Sequence, residues 1–450
     1  MRVVIVGAGL SGLTLASFLR RLNIDVIILE QTPFLQAQYI PPYTLFANAL
    51  SCYKAFSMDY LFTSAENEPE KYFGIKNSDL KWLLKIRNGN IRLQSLGEED
   101  IIPISTAPLA NSESIVSRRL AEQQKTNMGY VPLRTTMSAT YLRDALRRHV
   151  PEIKFGATVV DLVPHDGVKG GVHVMLDDGS SEWGDVVVGA DGMHSVIRRL
   201  LYSGEHVGRS NRSLGAIQID GFVDVNHNLS ALEFPVELWG KEKTVSFVPH
   251  FKHGENRIAF SATIGKQADA VSSLHEEDTL SILRGVLKTQ FQEFGSDICT
   301  LLGQATLAVP TDVLEVPVMP RWYNKRAVLM GDAAHGSLPS FLQQDASLCV
   351  EDAALLATAL TDVPLLRDNG FEYAFKQYES VRRSRVEKYI RQSRRARSFA
   401  LTPHTVARDV TTFLTPPLLI RATQRWLSGW SYSSQALEID PKIKIETAFR

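Results

Sequence analysis

Two hydrophobic textures alternate along the chain. Val3 to Val6, Val26 to Leu29, Val186 to Val188 and Ala327 to Met330 are short, wholly apolar runs. Strands covered on both faces read this way, so each run predicts a strand of a buried parallel sheet. Helical spacing after the first run predicts a helix from about Leu10 to Leu22, with Asn23 placed for a left-handed cap. Further helices are expected near Ser114 to Gln123 and Ser138 to His149, and on the segment carrying Glu351 and Asp352. A long one is expected from Phe371 to Phe399. Ile153 to Val163 and Val172 to Leu176 alternate like strands joined through Asp166 and Gly167, and Asp177-Asp178-Gly179 makes the next turn. From Leu201 to Trp322 alternation dominates. Ala216 to Val225, Pro235 to Trp239, Val245 to Pro249 and Ile258 to Thr263 predict antiparallel strands, interrupted by a helix near Glu277 to Phe294. Residues 32–75 hold prolines and aromatics without a period and read as a loop and a helix.

These elements imply an α/β fold in three parts. A Rossmann-like domain is expected from residues 1–75, 105–200 and 323–365, with an inserted, mostly antiparallel substrate domain from 76–104 and 201–322. A helical segment, 366–450, would close the chain.

The strand–helix junctions carry the candidate chemistry. Gly7, Gly9 and Gly12 follow the first strand at G-x-G-x-x-G spacing. The first permits a tight turn, the second lets a diphosphate approach the backbone, and the third lets the helix pack on the strand. The helix start favours a phosphate through its free N–H groups and dipole. Glu30 ends the second strand, placed to accept hydrogen bonds from a ribose, and its charge argues against a 2′-phosphate there. Together these features predict a dinucleotide site, without deciding between FAD and NAD. In Asp185 to Arg198 a strand runs into Gly189-Ala190-Asp191-Gly192, and a helix begins after Met193. Asp191 thus lies at the carboxyl end of a parallel strand, where open α/β sheets bind ligands. The run Gly331 to His335, GDAAH, repeats the arrangement after a third strand. Asp191 and Asp332 also suit plain helix caps, and His335 suits local packing or hydrogen bonding.

Composition removes some alternatives. With 44% hydrophobic and 22% charged residues and a formal net charge of zero, no global field draws the chain to nucleic acid. The arginines of the last long helix (Arg382, Arg383, Arg385, Arg391, Arg394, Arg395, Arg397) read as a solvated or ion-paired face. Cys52, Cys299 and Cys349 lack metal-ligand spacing and predict buried reduced thiols and no metal. The first strand starts almost at Met1, which leaves no room for a leader and suggests a cytoplasmic protein. No apolar run is long enough to span a membrane. Thr412 to Trp430 suits peripheral membrane contact or, by preference, core packing.

The three stretches, in this order, resemble the class A FAD-dependent monooxygenases, especially their salicylate-hydroxylase-like members. The motifs are GAGLSG with Glu30, GADGMHSVIR, and GDAAH with a following proline and Glu-Asp; Tyr378 to Arg385 resembles the family's C-terminal helix. The resemblance implies that Gly7, Ala8, Gly9, Ser11, Gly12 and Glu30 hold the ADP half of FAD. Gly331, Asp332, Pro339, Asp345 and Ala346 would meet the rest of the cofactor. Asp191 and Gly192 would serve FAD and nicotinamide binding. NADPH or NADH would reduce the flavin, O₂ would add at C4a, and the hydroperoxide would hydroxylate or epoxidise a small-molecule substrate. The apolar residues Phe222, Phe234, Trp239, Phe247 and Phe260 suggest a medium-sized, largely apolar aromatic, polyketide- or terpenoid-like substrate, and equally suit a core.

Two positions depart from the family's pattern. The usual G-Q-G after Pro339 is replaced within Ser340 to Ala346 by Gln343-Gln344-Asp345. Asp345 there either faces reduced flavin, which its charge would disfavour, or caps the helix. The family's arginine three residues before Leu142 is Ala139, so Arg118, Arg119 or Arg134 is expected to replace its contact. Arg198, His250 and Asp345 are the candidate catalytic or substrate-orienting groups. A non-redox cyclase or isomerase with Asp345 as acid is the alternative, followed by a cofactor-holding protein without turnover.

Overall fold

The computed structural model describes residues 1–35, 41–63, 71–88, 90–93, 130–165, 170–202, 211–224, 235–252, 255–265, 280–317, 319–336, 343–363, 370–415, 437–439 and 445–446. In chain order, β1 (Arg2–Val6), α1 (Leu10–Arg21) and β2 (Asp25–Glu30) come first. β3 (Tyr43–Phe46), α2 (Ala47–Ala55), α3 (Tyr60–Thr63), β4 (Tyr72–Asn77), β5 (Trp82–Arg87) and β6 (Asn90–Leu93) follow. Next are β7 (Tyr130–Pro132), β8 (Arg134–Met137), α4 (Ala139–Arg147), β9 (Ile153–Phe155), β10 (Val159–Pro164), β11 (Val172–Leu176), β12 (Ser181–Gly184), β13 (Val186–Gly189) and α5 (Val196–Leu201). β14 (Arg212–Asp224), β15 (Val236–Trp239), β16 (Lys243–Lys252), β17 (Glu255–Gly265), α6 (Leu280–Gln290), α7 (Ser296–Gly303) and β18 (Ala305–Glu315) form the middle of the chain. The remainder holds β19 (Tyr323–Asn324), β20 (Ala327–Leu329), α8 (Asp332–His335), α9 (Asp345–Asp362), α10 (Gly370–Ala400), α11 (Thr405–Leu414), β21 (Leu437–Ile439) and β22 (Ile445–Glu446).

The apolar runs behave as their composition dictates. β1, β2, β13 and β20 are parallel neighbours in a six-stranded sheet of order β19-β20-β13-β1-β2-β9, edged by antiparallel β19. α1 and α9 pack in the same hydrophobic core, where Leu13, Phe18, Val350 and Leu356 are fully buried. The alternating stretches build an eight-stranded sheet of order β18-β14-β17-β16-β15-β4-β5-β22. It is antiparallel except where β4 lies parallel to β15. One face is covered by α6 and α7 through Ile219, Val245, Phe247, Phe260, Leu283 and Phe291.

Several expectations change. Ile153 to Val163 is not one strand: Gly156, at φ +67, turns the chain. β9 therefore joins the parallel sheet beside β2, while β10 pairs antiparallel with β11. Residues 32–75, read as a loop and a helix, hold the helix α2 and, beyond that reading, β3, α3 and the start of β4. β18 was not foreseen, and the helix near Glu277 to Phe294 is α6 followed by a short 3₁₀ turn, Gln292–Phe294. The expected helix at Ser114 to Gln123, the turn at Asp166-Gly167 and residues 416–430 of the candidate membrane stretch lie outside the described residues. Among the described residues no helix is long and apolar enough to cross a membrane. Cys52, Cys299 and Cys349 are buried, and among the described residues none forms a disulfide.

The long helix α10 ties the layers together. Near its middle Arg382 and Arg385 pair with Glu351 of α9. Farther along, Arg394 donates to Glu315 of β18 at 2.7 Å, and Arg397 donates to the Leu214 carbonyl of β14 at 3.3 Å.

Candidate functional site

The glycine loop is built by close packing on two sides. Gly7 adopts φ +104, and a Cβ there would stand 2.5 Å from the Ala190 carbonyl oxygen in the loop after β13. A Cβ on Gly12 would stand 2.0 Å from the Gly7 oxygen, so α1 lies directly on its own loop. Gly9 differs: nothing lies within 4 Å of a Cβ there, and as N-cap of α1 it provides no side-chain cap. The start of α1 thus faces open space, with the loop bracing it from behind. Glu30 is buried; one carboxylate oxygen accepts from the Ala8 N–H at 2.7 Å, and the other from the Thr32 N–H and hydroxyl, both at 2.9 Å. A carboxylate offers about four acceptor positions, so Glu30 can take one further donor.

The second motif braces more than it reaches out. Asp191 caps α5, accepting from the Ser195 hydroxyl at 2.6 Å and the backbone N–H groups of Val196 and Ile197 at 2.7 and 3.1 Å. Burial pushes its carboxyl up, against these hydrogen bonds. Gly192 takes φ +75 with no atom in the way of a Cβ. Arg198, a catalytic candidate by sequence, is buried and donates to the carbonyls of Ala333 and Met193 and to Asn211. Its guanidinium links the second motif to GDAAH, so the geometry gives it a bracing task.

GDAAH sits on a buried ion network that sequence reasoning missed. Gly331 adopts φ +56 and touches the first motif, since a Cβ there would meet the Ser11 hydroxyl at 2.4 Å. Its N–H donates to Asp352 at 2.9 Å, and the same oxygen contacts His335 Nε2 at 2.6 Å. Arg382 Nε donates to the other Asp352 oxygen at 2.6 Å and Arg382 also pairs with Glu351. Glu351 further accepts from Arg385 at 2.7 and 2.8 Å and from Asn48 at 2.6 Å. Burial pushes Asp352 up, but the charges of His335 and Arg382 outweigh it and hold the carboxyl down at about 2. Asp332 is half-buried and pushed up by burial, with His335 opposing and Asp352 adding to the rise. Part of the arginine face of α10 therefore points inward, onto α9. The Glu351-Asp352 pair was the available signal; its partners on α2 and α10 are remote in sequence.

Asp345 is the half-buried first residue of α9, where a negative charge suits the helix dipole, and Ala346 is buried behind it. Gln343 enters the helix at φ +53, a conformation that glycine adopts more cheaply. Arg118 and Pro339 lie outside the described residues. His250 lies on β16, in register with Arg257 of β17. Arg134, offered as a cofactor contact, stands over the Phe73 ring at 4.8 Å and influences Glu237 on the eight-stranded sheet. Among the described residues an arginine that touches the glycine loop is Arg143 of α4, whose Nη2 is 3.4 Å from the Ala8 carbonyl oxygen. Nothing in the α4 sequence identifies Ala8 as its neighbour.

The face of the sheet turned away from α6 and α7 carries a polar row. Asp220, Ser261, Ser246 and Glu237 are aligned across β14, β17, β16 and β15. They alternate with the helix-covered residues and share their side with Phe73, which joins the core of the parallel sheet. Asp220 accepts from Ser261 at 2.5 Å and from Gln218 Nε2 at 2.8 and 2.9 Å. Burial pushes both Asp220 and Glu237 up. Of the apolar residues offered for the substrate, Phe247 and Phe260 belong to the core under α6 and α7. Trp239 packs with Leu83 and Ala400, and Phe234 lies outside the described residues.

Comparison with known proteins places this geometry. The family described as FAD binding domain matches residues 109–393, and that described as NAD(P)-binding Rossmann-like domain matches residues 5–37. Aurachin C monooxygenase/isomerase of Stigmatella aurantiaca is 27% identical over 399 residues, covering 88% of each chain. The 6-methylsalicylate 1-monooxygenase atA of Aspergillus terreus is 26% identical over 447 residues, covering 95% of this chain and 87% of its own. Among solved structures, a salicylate hydroxylase substrate complex matches with TM-score 0.69 at 19% identity over 96% of both chains. Klebsiella pneumoniae HpxO with FAD and uric acid matches with TM-score 0.66 at 19% identity over 96% of this chain and 93% of that one.

Proposed function

The chain belongs to the FAD binding domain family, as a class A FAD-dependent monooxygenase, and from that premise we propose that it uses NADPH or NADH and O₂ to hydroxylate or epoxidise a medium-sized aromatic, polyketide- or terpenoid-like compound. One oxygen atom enters the substrate, the other leaves as water, and the nicotinamide supplies the two electrons. The observation that carries this reading is the meeting of distant stretches at the start of α1: the glycine loop, Glu30, and Ser11 against Gly331. The residues fit a dinucleotide. Gly9 leaves room where a side chain would intrude, and Glu30 retains acceptor capacity for a ribose hydroxyl. FAD, when bound, supplies the redox chemistry of electron acceptance and O₂ activation.

The chain's own residues position and shield. The N–H groups of the α1 first turn receive the diphosphate, while Gly7 and Gly12 hold them in place. Gly331 and Asp332 carry the next part of the cofactor, anchored through Asp352 to Arg382. Asp345 and Ala346 start the helix behind it. The polar row, which aligns Asp220, Ser261, Ser246 and Glu237, supports a substrate whose apolar ring bears hydrogen-bonding groups. A rearrangement at the same site is the second reading, favoured by the half-buried Asp345 and by a relative named both monooxygenase and isomerase.

Purified protein is expected to be yellow and to consume NADPH and O₂ faster when a panel of hydroxyquinolines and salicylates is added. Conversion of a panel compound without NADPH consumption selects the rearrangement. Protein that stays colourless after incubation with excess FAD overturns both.

A further inference from the structure

Among the described residues Arg143 is a buried cation without an anion. Its residue exposure is 8%, its Nε has no hydrogen-bond partner, and its Nη2 meets only the Ala8 carbonyl oxygen, at 3.4 Å. Among the described residues no carboxylate pairs with it. Burying a guanidinium this way is costly unless a negative group completes the site. The position of that group follows from the neighbours. Ala8 belongs to the loop that presents the uncapped start of α1, and Gly9 beside it leaves open space. The Ser17 hydroxyl of α1 donates to Leu146 of α4 at 3.2 Å, which fixes the two helices against each other. Tyr43 also lies within the influence of Arg143, and burial pushes its hydroxyl up so that it stays neutral and cannot be the counter-ion. The guanidinium and the uncapped start of α1 thus meet at the same loop, Arg143 on the Ala8 carbonyl and open space beside Gly9.

We propose that Arg143 is the cation of the dinucleotide diphosphate site, replacing from one helical turn onward the arginine absent at Ala139. Ala139 and Arg143 are four residues apart on α4 and so share a face. The guanidinium donates to diphosphate oxygens in charge-assisted hydrogen bonds while the α1 N–H groups donate from the other side. This deepens the proposed function by resting on its dinucleotide site, and it makes the replacement specific to this chain. Arg134 and Arg118 are then not needed for that contact.

The test separates binding from folding. Deflavinated wild-type and Arg143→Met proteins are titrated calorimetrically with FAD, NADPH, ADP and riboflavin, and each apoprotein is melted without ligand. Removing charge-assisted hydrogen bonds should weaken the diphosphate-bearing ligand about 10- to 100-fold, with riboflavin unaffected. The unliganded variant should melt at the wild-type temperature or above it, because an unpaired buried charge has been removed. Arg143→Lys should recover part of the lost affinity. Loss for FAD and ADP assigns the arginine to the flavin cofactor; loss for NADPH and ADP alone assigns it to the nicotinamide co-substrate. If wild type binds ADP through Arg143 but never FAD, the monooxygenase reading fails and this site stands. Equal affinities in wild type and variant, or an apoprotein that melts several degrees lower, overturn the proposal.

Discussion

Replacing Asp352 by Asn removes one negative charge from the network beneath Gly331 while conserving volume. In the wild type, one carboxylate oxygen serves Arg382 and the other serves Gly331 N–H and His335. An amide presents a single acceptor oxygen, so either Arg382 or Gly331 loses its partner and meets an N–H instead. The carboxyl is held down at about 2, against an ordinary value near 3.8, which corresponds to about 2 kcal/mol at ~1.4 kcal/mol per pKa unit. Breaking a buried pair typically costs about 3–5 kcal/mol. Arg382 keeps Glu351 and the Leu348 carbonyl, so the loss belongs at the lower end, about 2–4 kcal/mol. The pH signature fixes the cause. A carboxyl whose folded value is depressed contributes stability above its unfolded value and loses it as pH falls through the folded one. The gap between wild type and Asp352→Asn should therefore be constant above about pH 5 and close between about pH 4 and pH 2. Urea unfolding followed by tryptophan fluorescence measures it, and Trp322, whose ring centre is 5.2 Å from that of His335, is a nearby reporter. A gap below about 0.5 kcal/mol at pH 7, within the range of neutral surface changes, would refute the reasoning. A gap that persists unchanged below about pH 3 would refute it equally.

Asp220→Asn should act oppositely. Burial raises the folded carboxyl above its unfolded value, so the wild type loses stability as pH rises above the ordinary carboxylate range, and the neutral amide escapes that loss. Gln218 can turn its unpartnered Oε1 toward the new N–H₂, so thermal unfolding at about pH 8 should show the variant more stable by about 1 kcal/mol; a less stable variant would contradict the burial argument. Gly9→Ala and Gly12→Ala form a contrasting pair. The first adds a Cβ into open space and should leave unfolding unchanged while weakening FAD in fluorescence titrations. The second drives a Cβ to 2.0 Å from the Gly7 oxygen and should destabilise by about 1–3 kcal/mol. Equal stabilities for the pair would show that the loop yields.

The sequence announces the nucleotide layer because local chemistry dictates it. Val3 to Val6 has no polar residue to turn outward, and Gly12 allows an approach that any Cβ forbids. Less of the rest was legible. Alternation continues through residues 153–163 although Gly156 moves the chain between sheets, because a turn leaves the in–out pattern intact. β4 is defined by its parallel neighbour β15, far along the chain, and no short-range pattern encodes that pairing. At the candidate site, the glycines and Glu30 could be read from spacing. Arg143 could not, because its neighbour Ala8 precedes it by most of the first domain. Arg382 looked like the other arginines of its helix because helical charge periodicity does not reveal which turn meets Glu351 and Asp352.

α10 runs 31 residues, about 47 Å, and is fastened differently at two points along its length. Arg382 and its acidic partners are wholly closed to solvent, whereas the Arg394 side chain is 38% exposed. Dissolved ions screen an open pair far more than a sealed one. The rod is thus sealed to the cofactor layer and reaches the eight-stranded sheet through an arginine that solvent still touches, although its partner Glu315 is buried, so added salt is expected to weaken the second attachment more than the first.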